Sequence, residues 1–198
     1  APPLGMGGDK EACADIYALP LGRTNWVRAG TLSQPLTDGM SAATPRGIVC
    51  VAGRADGENQ SRALLLTWDA TRALAVETAL PDLPCSVRRG AAAAWDNRVY
   101  VAGGESADNL AGDVWTLDLD VPQSGWTSLP PLPGPKGRSE AVAFVQNGDQ
   151  KRKYLYVIGG YVRHADGGRV ALTDGYAYDL AQPAGAGVWR AIAPAVPT

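Results

Sequence analysis

The chain of 198 residues is 45% hydrophobic and 19% charged, and it contains 24 glycines and 15 prolines. Its formal net charge is −2 and its isoelectric point is near 5.4, so it lacks the basic field that attracts nucleic acid or anionic lipid over a distance. No apolar run approaches the roughly 20 residues that span a bilayer, and no zinc, phosphate-loop or Ser-His-Asp motif is present, which predicts no membrane span, no metal and no cofactor.

Residues 1–30 carry the first candidate elements. The glycine pair Gly7-Gly8 is followed by an Asp-led strand from Asp15 to Leu19 and by Trp26. Because the same order recurs later in longer units, this segment predicts the outer half of a four-stranded repeat, without its two inner strands. The next segment, 31–84, predicts a complete four-stranded unit; its clearest strands are Ile48–Gly53 and Leu64–Asp69.

Segments 85–135 and 136–198 repeat one order of elements. An apolar strand is followed by a strand ending in two glycines, a polar loop, an Asp-led strand and a strand opened by tryptophan. The elements that show this order are Val99–Gly104, Asp113–Asp118 and Trp126 in the earlier segment, and Leu155–Gly160, Asp174–Asp179 and Trp189 in the later one. Each tryptophan is expected to fill the space between neighbouring units, and its N–H requires an acceptor there.

The period of the repeat predicts the fold. The second glycines lie at 8, 53, 104 and 160, a spacing of about 50 residues that is typical of kelch repeats. We therefore expect an all-β, kelch-type β-propeller with about three and a half blades of four antiparallel strands. Such an arc leaves two blade faces open, so we expect a second polypeptide, another copy or a further segment to complete the ring. The alternative is a small, self-sufficient propeller.

Three cysteines cannot all form disulfides with one another. Cys50 lies in an apolar strand and is expected to act as a small buried hydrophobe. The sequence neither requires nor excludes a disulfide between Cys13 and Cys85.

Several stretches of the chain share their residues and order with a known family. They are Asp15–Leu19, Asn25–Leu32, Gly47–Gly53, Val99–Gly104, Leu117–Asp120 and Thr173–Asp179. Together they resemble the cyclically permuted branch of the N-acetylneuraminate epimerase (sialic acid mutarotase) family. The resemblance implies a bacterial, six-bladed propeller, periplasmic or secreted, that interconverts the α and β anomers of sialic acid without a cofactor.

The family's catalytic pattern is matched only in part. It places a Glu after Gly, an Arg six residues later and an Asp two further on. Gly104-Glu105 and Asp113 fit this spacing, but Ala111 stands at the Arg position. The sequence Gly137-Arg138-Ser-Glu140 resembles the Pro-Arg-Asp-Gln entry to an inner strand in the family.

Alternating strand direction places two sets of loops on one rim of a propeller, namely those from strand two to strand three and those from strand four to the next strand one. The first set contributes, among others, Arg54, Glu105, Tyr161 and His164; the second contributes Asp38, Arg88, Arg89 and Arg138. A small ligand in the central channel is expected to meet these side chains.

Mutarotation requires a group that takes the proton of the anomeric hydroxyl and a group that protonates the ring oxygen. We assign Glu105 and His164 as the acid/base candidates. A guanidinium is the best-shaped partner for the sugar carboxylate, which makes Arg138 the leading carboxylate ligand and Arg89 the second. Glu140, Arg54 and Tyr161 complete the predicted substrate-binding set.

Two alternatives remain at this point. The charged loop residues are equally explained as solvated surface groups, above all Arg54 and the lone His164 in its glycine-rich loop. A noncatalytic kelch module that binds a glycan or a protein through the same rim is the competing function. A sialidase-like hydrolase is disfavoured because the Asp-box repeats of such enzymes are absent.

Overall fold

The structure, a computed structural model, describes residues 13–106, 111–134, 137–148, 152–163, 168–181 and 187–192. Within these ranges the chain forms β-strands and one short 3-10 turn at Pro122–Ser124. The all-β prediction is confirmed. No helix in the described ranges is long and apolar enough to cross a bilayer.

Three four-stranded antiparallel sheets form the body of the protein. Sheet I contains β3 (Met40–Thr44), β4 (Gly47–Ala55), β5 (Glu58–Asp69) and β6 (Leu74–Leu80). Sheet II contains β7 (Ala91–Trp95), β8 (Arg98–Ala102), β9 (Val114–Asp118) and β10 (Thr127–Leu129). Sheet III contains β11 (Val142–Asn147), β12 (Lys153–Ile158), β15 (Gly175–Asp179) and β16 (Trp189–Ile192).

Two strand pairs accompany the sheets. They are β1 (Asp15–Ala18) with β2 (Val27–Thr31), and β13 (Tyr161–Arg163) with β14 (Arg169–Ala171). The second pair is a hairpin between β12 and β15. The division of the chain into kelch units stays a prediction.

Sheet II lies between two hydrophobic cores, and β8 shows why its sequence forms a strand with two apolar faces. Val99 and Val101 are buried against sheet I, whereas Tyr100 and Ala102 are buried against sheet III. Successive side chains of a strand point to opposite faces, so a continuous apolar run serves both cores. Complete burial of each valine contributes about 2 kcal/mol.

The inner strands of the three sheets lie side by side. Strand β7 contacts β3 on one side and β11 on the other. Sheets that share an inner edge and diverge outward have the arrangement of β-propeller blades. The described sheets do not close into a ring, and the total number of blades stays a prediction.

Tryptophans connect the outer parts of neighbouring sheets. The indole Nε1–H of Trp126 donates to the carbonyl of Pro81 at 2.8 Å, and that of Trp189 donates to the carbonyl of Pro130, also at 2.8 Å. Each acceptor directly follows the last strand of the preceding sheet, so the predicted position of these two side chains between neighbouring sheets is confirmed. Trp26, which precedes β2, is exposed.

The β1–β2 pair packs against β6, the outermost strand of sheet I. Ser33 donates its N–H and its hydroxyl to the carboxylate of Glu77 on β6, both at 2.9 Å. A Cβ on Gly30 would lie 3.3 Å from the carbonyl oxygen of Ala75, so glycine permits the close approach of the two backbones. Cys13, Cys50 and Cys85 are all outside disulfides.

Candidate functional site

Each inner strand is entered through a residue with left-handed backbone. Asp38, Arg89 and Glu140 each lie two residues before an inner strand, with one small residue between, and their φ angles are 54°, 54° and 55°. Such angles are uncommon for residues other than glycine and cost about 1 kcal/mol. Their recurrence in three sheets indicates that the surrounding hydrogen bonds hold the conformation.

Main-chain hydrogen bonds join these three residues in a row, which we call the entry arc. Arg89 donates its N–H to the carbonyl of Asp38 at 2.8 Å, and Glu140 donates its N–H to the carbonyl of Arg89 at 2.7 Å. The sheets are thus connected at one rim through equivalent positions. Side chains far apart in the sequence lie next to each other as a result.

A second row of residues pairs with the loops of the entry arc. Arg54, Glu105 and Tyr161 follow the glycines that end the second strands, and they form isolated bridges with Thr37, Arg88 and Ser139 respectively. The predicted meeting of the two loop sets on one rim is confirmed for these pairs. Glycine is required because a Cβ on Gly53 would lie 2.6 Å from the carbonyl oxygen of Thr37.

Charged side chains from the two rows converge and form what we call the rim cluster: Asp38, Arg88, Arg89, Glu105, Glu140 and Arg169. It contains three carboxylates and three guanidinium groups, so its formal charge is balanced. Arg169 reaches the cluster from the β13–β14 hairpin, where its side chain lies over the Tyr161 ring at 5.9 Å from the centroid.

Glu105 is the buried centre of the rim cluster and is only 2% exposed. Its carboxylate lies 3.1 Å from the Arg88 guanidinium, 3.6 Å from that of Arg169 and 3.9 Å from that of Arg89. A carboxylate in this position orients the three arginines. The predicted acid/base role of Glu105 stays a prediction, and its burial places it beneath the arginines rather than at the surface of the site.

Arg89 connects the carboxylates of all three sheets. Its guanidinium lies 3.2 Å from Asp38, 3.7 Å from Glu140 and 3.9 Å from Glu105. Burial lowers the pKa of Arg89, but the hydrogen bond to Asp38 and the charges of the three carboxylates raise the pKa by more, so it lies above its ordinary value. The guanidinium is therefore permanently charged.

An open cavity of about 510 Å³ lies over the rim cluster; its lining is Asp38, Gly39, Arg89, Gly90, Glu140 and Arg169. Glu140 and Arg169 are its more exposed charged groups, and they are joined by a hydrogen bond of 3.0 Å. A solvent-facing carboxylate can accept a proton, and neighbouring guanidinium groups can bind an anionic group of a ligand. The arrangement therefore offers both functions within one opening.

Arg138, the leading predicted carboxylate ligand, is buried and does not line this opening. Both terminal nitrogens of its guanidinium lie 3.1 Å from the two oxygens of Asp174, and Nη1 also donates to the carbonyl of Gly159 at 3.0 Å. The guanidinium carbon is 5.2 Å from the centre of the Tyr176 ring. Its role in substrate binding stays a prediction, and the visible role is to fix the entry to sheet III.

The contacts among Arg138, Asp174 and Tyr176 shift the pKa values of Asp174 and Tyr176. Burial raises the pKa of Asp174, but the hydrogen bonds from Arg138 and Tyr176 and the charge of Arg138 lower the pKa by more, so it lies below its ordinary value. The pKa of Tyr176 is raised, first by burial and then by the hydrogen bond to Asp174 and its charge.

The remaining predicted residues lie apart from the opening or outside the described residues. Arg54 occupies the position in sheet I that Glu105 has in sheet II, but its Nε donates to the carbonyl of Gly57 at 2.8 Å in an exposed turn. Tyr161 supports Arg169 from below. His164 lies outside the described residues.

Arg169 is the member of the site that sequence reasoning missed. No motif marks it, and only the length of the segment between β12 and β15 signals a loop that can fold back over the rim.

A second, larger cavity of about 640 Å³ lies at the opposite ends of the strands, where the β7–β8 turn meets sheet III. Trp95 is part of its wall, with the ammonium of Lys153 3.6 Å from the centre of the indole ring. Its other cations, Arg98 and Arg152, form hydrogen bonds with Asp118 at 2.7 Å and Asp179 at 2.9 Å. We place the candidate site at the rim cluster, because charged side chains from all three sheets meet there.

Comparison with known proteins finds a similarity over part of the chain. No protein-family model matches the chain. Over 102 residues, which are 50% of this chain, the sequence is 36% identical to the N-acetylneuraminate epimerase of Yersinia enterocolitica serotype O:8 / biotype 1B. The match covers 23% of the length of that protein. The similarity supports the predicted resemblance to that family, whereas the cyclic permutation stays a prediction.

Proposed function

We propose that the protein is a sialic acid mutarotase that interconverts the α and β anomers of N-acetylneuraminate at the rim cluster. In this proposal the three sheets are kelch blades of a six-bladed, periplasmic or secreted bacterial propeller, and a further polypeptide or segment completes the ring. The observation that carries the proposal is the convergence of Asp38, Arg89 and Glu140, from three sheets, on one open cavity. The partial similarity to an N-acetylneuraminate epimerase supplies the substrate class.

The chemistry assigned to the cluster needs only proton transfer. Glu140 takes the proton of the anomeric hydroxyl while the bond between the anomeric carbon and the ring oxygen breaks. The resulting carboxyl group returns this proton to the ring oxygen and leaves the open-chain keto form. Closure on the other face of the ketone reverses these transfers and yields the other anomer, with no net change in protons.

The arginines hold the sugar acid during this exchange. Arg89 and Arg169 flank Glu140 and present guanidinium groups to the cavity, where one or both can pair with the substrate carboxylate. Glu105, buried among the arginines, acts as a positioning residue. Arg138 and His164, assigned to the site from sequence, are secondary candidates in this proposal.

Proton NMR of the two anomers, starting from freshly released α-anomer, tests these assignments. We expect Glu140→Gln to lower the rate of α-to-β conversion by about 100-fold, the low end of the effect of a general base. Arg89→Lys should mainly raise KM, because the ammonium keeps the charge but loses the two-pronged geometry. Asp82→Asn removes an exposed carboxylate between sheets I and II and serves as the matched control. Equal rates for Glu140→Gln and Asp82→Asn would contradict the role of Glu140.

A noncatalytic module that binds a glycan or protein is the second candidate. The charge balance of the rim cluster favours it, since every guanidinium there already has a carboxylate neighbour. The same NMR samples separate the two functions. Line broadening of N-acetylneuraminate signals without faster anomer exchange would identify a binding module.

A further inference from the structure

The larger cavity, of about 640 Å³, lies between sheets II and III at the strand ends opposite the rim cluster. Pockets of about 300 to 1,000 Å³ hold small ligands. Aromatic and charged side chains from both sheets line this cavity, which we call the Trp95 cleft: Trp95, Arg98, Tyr100, Asp118, Asp120 and Lys153. The cleft and the cavity over the rim cluster have no lining residue in common.

Tyr100 brings a buried hydroxyl group to the wall of the Trp95 cleft. The residue is 5% exposed and packs in the core between sheets II and III. Its hydroxyl has no hydrogen-bond partner among the described residues, and the charges of Arg98 and Asp118, which also line the cleft, act on it. Burial raises the pKa of Tyr100 to about 12, so the hydroxyl keeps its proton at neutral pH. A buried hydroxyl beside a cavity is a hydrogen-bonding position that a ligand can fill.

The charges of the Trp95 cleft are balanced. Its described lining contains three cationic side chains and three carboxylates. Arg98 pairs with Asp118 at 2.7 Å, and Asp120 pairs with Arg46 at 2.5 Å. A ligand with a net charge of either sign would leave this balance uncompensated. Guanidinium groups and carboxylates nevertheless have more donor and acceptor sites than one such pair uses, so the lining can hydrogen-bond a ligand that is uncharged.

Trp95 supplies the apolar part of the wall. It ends β7 and is 39% exposed, and the Lys153 ammonium lies 3.6 Å from the centre of its indole ring. This cation–π contact fixes the ring against sheet III. An indole beside hydrogen-bonding side chains suits a ligand that has both C–H surface and hydroxyl groups. A sugar ring has both, whereas an aliphatic chain lacks the hydroxyls and a phosphate lacks the C–H surface.

We propose that the Trp95 cleft is a binding site for an uncharged sugar ring, separate from the rim cluster. A C–H face of the sugar packs against Trp95, one oxygen accepts a hydrogen bond from the Tyr100 hydroxyl, and sugar hydroxyls donate to Asp118 and Asp120. Because a hydroxyl both donates and accepts, the sugar complements the mixed lining without adding charge. The site uses no residue of the rim cluster and is therefore independent of the proposed anomer exchange.

Saturation-transfer difference NMR of the full chain, titrated to millimolar sugar, tests the site. The probes are D-glucose, D-galactose, D-mannose, N-acetyl-D-glucosamine and N-acetyl-D-galactosamine, and at least one should receive saturation from the wild type. Trp95→Ala should remove this signal. Tyr100→Phe, which deletes only the hydroxyl, should weaken the apparent affinity about fivefold. Trp68→Ala is the matched control, because Trp68 is 52% exposed on sheet I and does not line the cleft. Far-UV circular dichroism checks that each variant is folded.

Two further samples separate the cleft from other modes of binding. D-glucuronate and D-galacturonate differ from two of the probes by a carboxylate and should bind the cleft more weakly. Glu140→Gln should keep the signal of the uncharged sugar, and its loss there would place that sugar at the rim cluster instead. No signal from any of the five sugars, equal signals for Trp95→Ala and Trp68→Ala, or tighter, Trp95-dependent binding of the uronates would overturn the inference. Anomer exchange without binding of an uncharged sugar would leave the proposed function standing while the cleft site fails.

Discussion

Glu105 and Arg88 are joined three times. The N–H of Glu105 donates to the carbonyl of Arg88 at 2.7 Å, the N–H of Arg88 donates back to the carbonyl of Glu105 at 3.0 Å, and their side chains pair at 3.1 Å. The backbone bridge fixes where the buried carboxylate lies, and the carboxylate fixes the guanidinium. This pairing connects the fold of the rim directly to the charges of the candidate site.

Replacing Glu105 with Gln should destabilise the protein by about 2 kcal/mol. Removing one partner of a buried ion pair typically costs about 3 to 5 kcal/mol, and the partial exposure of the arginines reduces this cost. Urea unfolding measures the difference. Glu58→Gln, which changes an exposed glutamate, is the control and should shift the free energy of unfolding by less than about 0.5 kcal/mol. Equal effects of the two substitutions would show that Glu105 does not hold the cluster.

Gly53→Ala should destabilise the protein more than Gly125→Ala. Gly53 has φ 109°, and an added Cβ would lie 2.6 Å from the carbonyl oxygen of Thr37. Gly125 also has positive φ, at 72°, but a Cβ there has no atom within 4 Å. Gly125 has ψ −173°, so Gly125→Ala should cost about 1 to 3 kcal/mol from backbone strain alone, and Gly53→Ala should cost more because it adds the steric overlap with Thr37. Comparable midpoints of urea unfolding would argue against the tight bridge at Thr37.

Trp126→Phe should lower the free energy of unfolding by at least about 1 kcal/mol. The substitution leaves the carbonyl of Pro81 without the indole donor and removes part of the packing between sheets I and II. Trp26→Phe is the matched control, because Trp26 is exposed in the described structure. Thermal unfolding of both variants at one protein concentration provides the comparison.

The Arg138–Asp174 pair predicts a pH dependence of stability. The pKa of Asp174 is lowered in the folded protein, so the ionised form is the one that folding favours. The stabilisation is present above the unfolded-state pKa of about 3.9 and is lost as the pH falls through the lower folded-state pKa. The difference in stability between wild type and Asp174→Asn should therefore be constant from pH 7 to about 5 and diminish at lower pH. A difference that grows on acidification would have the wrong sign for this pair.

The sequence predicted the strands better than the partners of the charged side chains. The order of glycine pairs, Asp-led strands and tryptophans is local, so it identified β8, β9 and β12 and the contacts of Trp126 and Trp189. Arg138 was singled out because it precedes an inner strand, but the bidentate bond to Asp174 depends on two loops meeting. No local pattern carries that information.

The contacts of Arg169 and Glu105 likewise could not be predicted from local sequence patterns. Arg169 reaches Glu140 through a hairpin whose strands have no repeat equivalent in sheets I and II. The burial of Glu105 depends on arginines from two other loops. Equivalent positions can be aligned from the repeat alone, as Asp38, Arg89 and Glu140 show, but which of them face the cavity follows only from the packing.

The rate of α-to-β conversion of N-acetylneuraminate, followed by proton NMR with the wild-type protein and in buffer alone, tests the central claim most directly. We expect the protein to accelerate conversion well above the buffer rate and Glu140→Gln to remove most of this acceleration. Conversion at the buffer rate in the presence of the folded wild type would contradict the assignment of the site.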